Sequence, residues 1–134
     1  MNLPPQLEAD IKTLSDQGFK VSAHRDSTNA NRIFVVFEQY PLPTGWYKKE
    51  THLLLMTDIS YPNSKLDMFW VDPDVKLEGD RIPQAGEAIE KYRDKDGTDK
   101  DWRRFSWHVA KWNPAVDNII TYLGTVDARL RQLK

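Results

Sequence analysis

Ser106 and His108 are the residues whose types and spacing offer the most direct chemistry. In an extended backbone, positions i and i+2 point to the same side, so hydroxyl and imidazole would share one locale; in a helix they diverge by roughly 200°. A serine hydroxyl is too weakly acidic to attack unaided and needs an adjacent base, ordinarily a histidine held by a third group. Asp101 or Asp117 would orient the ring, and Arg103, Arg104 or backbone N–H groups would support an oxyanion. The pair therefore permits an acyl group held on Ser106 as an oxyester. It lacks the Gly-x-Ser-x-Gly elbow, and hydroxyls and imidazoles in loops commonly satisfy neighbouring backbone groups instead.

The pair sits in a dense run from Trp102 to Pro114. These thirteen residues hold three of the five tryptophans, one of the three histidines and three basic side chains. Aromatic and arginine side chains are over-represented at protein–protein hot spots, so Trp102, Arg103, Arg104, Trp107 and Trp112 form a candidate binding set. Base stacking would use the same residue types, but a formal net charge of −1 supplies no basic surplus for nucleic acid or an anionic membrane. Neither is expected as a partner.

Zero cysteines exclude a disulfide framework, a thiolate metal site and any covalent chemistry through a thiol. His24 and His52 alternate along strand-like runs with no second ligand at metal spacing, and no glycine-rich phosphate loop is present. No metal or cofactor is expected. The start, Met1-Asn2-Leu3-Pro4-Pro5, has neither the basic region nor the apolar core of a signal peptide, which points to the cytoplasm.

The elements that must position these residues follow from periodicity. With 134 residues, 40% hydrophobic and 29% charged, one globular domain over 1–134 is expected. Leu7, Ile11 and Leu14 behind two prolines predict a helix over about 4–17. Phe19, Val21 and Ala23 alternate with polar residues, and 33–37 is β-branched and aromatic; with the polar turn 27–31 they read as a hairpin. Strands are also predicted at 52–56 and 68–71, and such short connections favour an antiparallel meander of four. Residues from about 72 to 101 read as a long loop, with one helical turn near 85–89. Val116, Ile119, Ile120, Leu123, Val126, Leu130 and Leu133 then form an apolar stripe, predicting a helix over about 114–132 that opens on Pro114. Gly124 within it suggests close packing against a neighbour.

This order resembles the ubiquitin-conjugating (UBC) fold: N-terminal helix, four-stranded antiparallel meander, long crossing loop and C-terminal helix, an α+β arrangement. Tyr61-Pro62 stands at that family's Tyr-Pro turn, and Trp112-Asn113-Pro114 at its Trp-x-Pro. More narrowly, Tyr61-Pro62, the run Asp67 to Pro73, the run Trp102 to His108 and Trp112-x-Pro114-x-x-Asp117 resemble the prokaryotic ubiquitin-conjugating family E. The resemblance covers about 5–131. It implies bacterial partners, a ubiquitin-like protein and a ubiquitin-activating-like enzyme. The family pattern of a thioester-bearing cysteine is absent here, and Asp72-Pro73-Asp74 stands where His-Pro-Asn is typical. The resemblance therefore implies a component that binds the ubiquitin-like protein, its activating enzyme, or both, without a thioester; the alternative is an acyl carrier or transferase using Ser106 with His108.

Overall fold

A computed structural model describes residues 3–93, 98–107 and 111–134. Helix α1, Pro5–Asp16, buries Leu7, Asp10 and Leu14. It ends through Gly18, whose φ of 100° lets its N–H reach the Ser15 carbonyl at 3.0 Å and hands the chain to strand β1, Lys20–Asp26. Strands β2 (Asn29–Pro41), β3 (Glu50–Asp58) and β4 (Phe69–Val71) follow as consecutive antiparallel neighbours, as expected.

The expected loop from 72 to 101 is only partly a loop. Strands β5, Ile89–Arg93, and β6, Asp99–Phe105, extend the sheet to six strands in the order β1-β2-β3-β4-β6-β5 among the described residues. Residues 72–88 remain irregular, and no helical turn forms near 85–89: Ala85 has a φ of 60° and β5 begins at Ile89. The charged residues of Ile89–Arg93 and of the start of Asp99–Phe105 lie on an edge hairpin, where exposed charge discourages pairing with other chains. They also pair across it, Lys91 with Asp101 at 3.0 Å and Arg93 with Asp99 at 3.7 Å.

Helix α2, Ile119–Arg131, starts later than Pro114. Asn118 caps it by accepting the Thr121 N–H at 3.0 Å, and Thr121 Oγ1 accepts the Asn118 N–H at 3.0 Å. Pro114 lies in a preceding turn closed by Asn113 and Asp117: the Asn113 N–H donates to Asp117 Oδ2 at 2.8 Å, and the Ala115 N–H to Asn113 Oδ1 at 3.0 Å. Local side-chain acceptors thus displace the helix start, and Val116 is left 64% exposed, off the stripe. Gly124 is exposed, and a Cβ there would meet nothing within 4 Å, so the expected close packing is absent.

Alternation divides the sheet into two faces. Ile33, Val35, Phe37, Leu53, Leu55, Phe69, Val71 and Phe105 meet both helices in the main core. Phe34, Val36, Leu54, Trp70 and Trp102 form a second cluster on the other face, which neither helix covers. The Tyr92 ring of β5 lies 5.7 Å from Phe34 on β2 and 5.8 Å from Trp70. Three strands separate β2 from β5, a span of about 19 Å in a flat sheet. The sheet must therefore coil until the β5–β6 hairpin folds over its own second face, burying that cluster without another layer.

Candidate functional site

The run from Trp102 to Pro114 is dispersed by the fold. Trp102, 2% exposed, points into the second cluster under the Lys100 ammonium, 4.6 Å from its ring centroid. Arg103, 5% exposed, points to the helix side and donates to the Gly86 carbonyl at 2.6 Å and the Pro73 carbonyl at 2.7 Å. Both side chains are turned inward, tying β6 to the sheet and to the 72–88 segment; the sequence cannot distinguish this from display without the coil of the sheet. Burial, opposed by Asp74 and Glu87, leaves the Arg103 guanidinium below its ordinary pKa. Arg104 pairs with Glu90 at 2.8 Å and donates from Nε to Ser106 Oγ at 3.0 Å.

Ser106 also donates its N–H to the Ala85 carbonyl at 2.9 Å. His108 lies outside the described residues. Asp101 is engaged with Lys91, and Asp117 with the Asn113 turn. Trp107 is half-buried, with the Arg129 guanidinium 5.0 Å from its ring and 5.1 Å from that of Phe105. Trp112 donates from Nε1 to the Pro62 carbonyl at 2.8 Å, joining the Trp-x-Pro to the Tyr-Pro turn. That turn is itself tied down, because buried Tyr61 donates its hydroxyl to Asp10 Oδ2 at 2.5 Å and accepts the Ile119 N–H at 2.9 Å. Burial and the Asp10 carboxylate raise the Tyr61 phenol far above its usual pKa, keeping it a donor.

The fold assembles a different constellation at the far end of β4. Register pairs Leu53 with Val71, so the residues just beyond, His52 and Asp72, come together across the strand ends. Asp72 Oδ1 lies 3.1 Å from His52 Nδ1, and Oδ2 accepts the His52 N–H at 3.1 Å. Lys100 donates to Oδ1 at 2.9 Å and Lys48 to Oδ2 at 3.2 Å, while the Asp72 N–H donates to Thr51 Oγ1 at 3.0 Å. Lys48 also reaches Asp74 at 3.0 Å. A pocket of about 430 Å³ opens beside this group, lined by Lys20, Glu38, Lys48, Glu50, His52 and Asp72. Gln39, also on its wall, holds a φ of 56° at the β2 bulge between Phe37 and Tyr40. Bulges and left-handed non-glycine residues cluster at functional sites.

Electrostatics define what the group can do. Burial alone would raise the Asp72 carboxyl, but hydrogen bonds from Lys100 and the His52 amide, with the nearby charges, hold it well below the usual carboxylate range. Burial would lower the Lys48 ammonium, and the Asp74 and Asp72 carboxylates raise it instead. An ionised carboxylate only accepts, so His52 Nδ1 must carry the hydrogen; in the neutral ring Nε2 is then a lone-pair acceptor. Nε2 has no hydrogen-bond partner among the described residues, and the His52 side chain is 45% exposed. The signal for this pair was the strand register, which links residues twenty positions apart. Among the described residues no three His, Cys, Asp or Glu side chains are grouped to hold a metal ion, and no helix is long and apolar enough to cross a membrane.

The chain matches a family model described as Prokaryotic E2 family E over residues 6–133. No curated protein and no solved structure matches the chain.

Proposed function

The chain belongs to prokaryotic E2 family E, and from that membership we propose that it serves a bacterial ubiquitin-like modification pathway by binding the ubiquitin-like protein, its activating enzyme, or both, without forming a thioester. The observation that carries this reading is a family match over 6–133 in a chain with no cysteine. A thioester needs a thiol, so the conjugating chemistry of a cysteine enzyme is closed to it.

Support for a protein partner comes from the surface around residues 72–88. Tyr47 is 73% exposed and Ile82 54% exposed. Tyr47 lines a groove of about 540 Å³ with Asp74, Lys76, Gly79 and Asp80. An exposed aromatic beside a polar-rimmed depression is the usual make-up of a binding hot spot. The test is titration of the purified chain with the ubiquitin-like protein and the activating enzyme of its own genome. Saturable binding to at least one is expected, weakened about tenfold or more by Tyr47→Ala; binding to neither overturns the reading.

One observation favours the alternative of an oxyester. The Arg104 guanidinium touches the Ser106 hydroxyl at 3.0 Å, a cation placed where it would stabilise a developing alkoxide. An acyl adduct lost in Ser106→Ala is the outcome that would establish it.

A further inference from the structure

We propose that strand β1 is a docking edge for a second copy of this chain, the two β1 strands pairing antiparallel about a two-fold axis at Ala23 and joining the two sheets edge to edge. β1, Lys20–Asp26, stands first in the strand order, so its outer backbone groups have no strand partner among the described residues. A row of unpaired N–H and C=O groups is a template for another strand unless proline, extreme shortness or exposed charge blunts it. β1 has seven residues and no proline, and those in its middle, from Val21 to Arg25, are all half-buried.

The sequence of this strand fits its own reverse. A two-fold axis normal to the sheet keeps the faces matched, so opposed residues carry their side chains on the same face. Centring on Ala23 overlaps the whole strand: Lys20 lies opposite Asp26 of the second copy, Val21 opposite Arg25, Ser22 opposite His24, and Ala23 opposite itself. Opposite charges meet at both ends and no like charges face each other, whereas directly opposed like charges are destabilising. Asp26 is already held by Arg32 at 2.6 Å, so the end pairs set the register more than the affinity. The other edge fails the same test, because β5 paired about its middle residue sets Lys91 against Lys91.

The pairing also covers what β1 leaves open. On the helix side, Phe19, Val21 and Ala23 are only partly buried against the main core, and the aliphatic stem of Arg25 from the second copy lies over Val21. On the other face, which His24 shares with Phe34, neither ring nitrogen of His24 has a hydrogen-bond partner among the described residues. The Ser22 hydroxyl of the second copy comes opposite that ring, with Cβ atoms about 4.5–5.5 Å apart. The 27–28 turn of the second copy is carried to the Lys20 end, beside the pocket of about 430 Å³ that Lys20 and Glu38 line. An edge pairing is small beside the roughly 1,200–2,000 Å² of stable interfaces, so a reversible dimer of micromolar affinity is expected.

The test uses the full chain alone, in sedimentation velocity from low micromolar to submillimolar concentration, where the mass should rise from monomer to dimer. Register is read by disulfide trapping, against no background from this cysteine-free chain. In Ala23→Cys the two thiols face each other across the axis with Cα atoms about 4.5–5.5 Å apart, within the span of a disulfide, so mild oxidation should give a covalent dimer on a non-reducing gel. In Lys20→Cys they stand about 20 Å apart along the paired strands and should stay untrapped. Ala23→Lys opposes two ammonium groups at the axis, while its long stem reaches solvent from a half-buried edge; the dissociation constant should rise about fivefold or more.

A monomer at every concentration, a dimer that is not trapped in Ala23→Cys, or trapping of Lys20→Cys as readily as Ala23→Cys overturns the proposal. So does an Ala23→Lys chain with the parent's thermal unfolding curve and the parent's dissociation constant; if that variant does not fold, the two cysteine variants decide alone. Because no partner protein is present, failure here leaves the binding role above intact, and failure of partner binding leaves this result standing.

Discussion

Tyr61→Phe removes one oxygen atom and should cost more than most core substitutions of its size. The hydroxyl donates to Asp10 on α1 at 2.5 Å and accepts the first N–H of α2 at 2.9 Å, so one atom joins the Tyr-Pro turn to both helices. Asp10 is 5% exposed and, among the described residues, would keep only the Gln6 amide at 2.9 Å. Losing a donor to a charged acceptor costs about 1.5–3 kcal/mol, and leaving the Ile119 N–H unpaired adds about 1 kcal/mol. The expected loss is about 2.5–4 kcal/mol. With an unfolding entropy of about 2.1 cal/mol/K per residue, a chain of 134 residues loses about 9–14 °C in Tm. Differential scanning calorimetry reads the shift, and urea titration reads the free energy at 25 °C. Adding Asp10→Asn to Tyr61→Phe should then cost less than Asp10→Asn alone costs in the parent. A Tm within about 2 °C of the parent would refute the bridge as a stabilising element.

Gly124→Ala should stabilise by up to about 1 kcal/mol, raising Tm by about 3 °C, because the position is helical, exposed and open around the added carbon. Arg103→Lys should lower stability by about 2 kcal/mol in urea titration, since one ammonium cannot serve both the Gly86 and Pro73 carbonyls in the fork that a guanidinium provides. Asp72→Asn should destabilise most at neutral pH. The folded-state pKa of Asp72 is depressed, so its contribution is present above the unfolded value of about 3.9 and is lost as pH falls towards the folded value. The gap between the urea midpoints of parent and variant should accordingly be full at pH 7 and begin to narrow only as pH falls below about 4.

Helix α1 and the first four strands are legible in the sequence because each carries its own period: Leu7, Ile11 and Leu14 at helical spacing, Phe19 to Ala23 alternating, and the apolar 33–37 run. Strand β5 is not. Ile89-Glu90-Lys91-Tyr92-Arg93 alternates weakly, and its exposed face carries the charge of an edge, so its composition is that of a loop. Two starts competed for α2, Pro114 and Asn118. The second prevails where the Asn118–Thr121 capping box and the Tyr61 hydroxyl satisfy the first amides, and the Tyr61 contact is invisible to local reading. Trp102 and Arg103 have the composition of a binding surface, but their direction depends on which side of a coiled sheet each faces. His52 and Asp72 look unrelated in sequence, and only the β3–β4 register makes them neighbours. Family membership was legible from the order of short motifs around these strands, and the family match over 6–133 bears it out.

Intact-mass spectrometry separates a binder from a carrier. The chain is incubated with the activating enzyme, the ubiquitin-like protein and ATP, then divided between denaturing mass analysis and native size-exclusion chromatography. The expected result is an unmodified chain mass in the first and a complex with one of the two proteins in the second. A chain heavier by one ubiquitin-like protein, with the adduct resistant to thiol, cleaved by hydroxide and absent from Ser106→Ala, would contradict it.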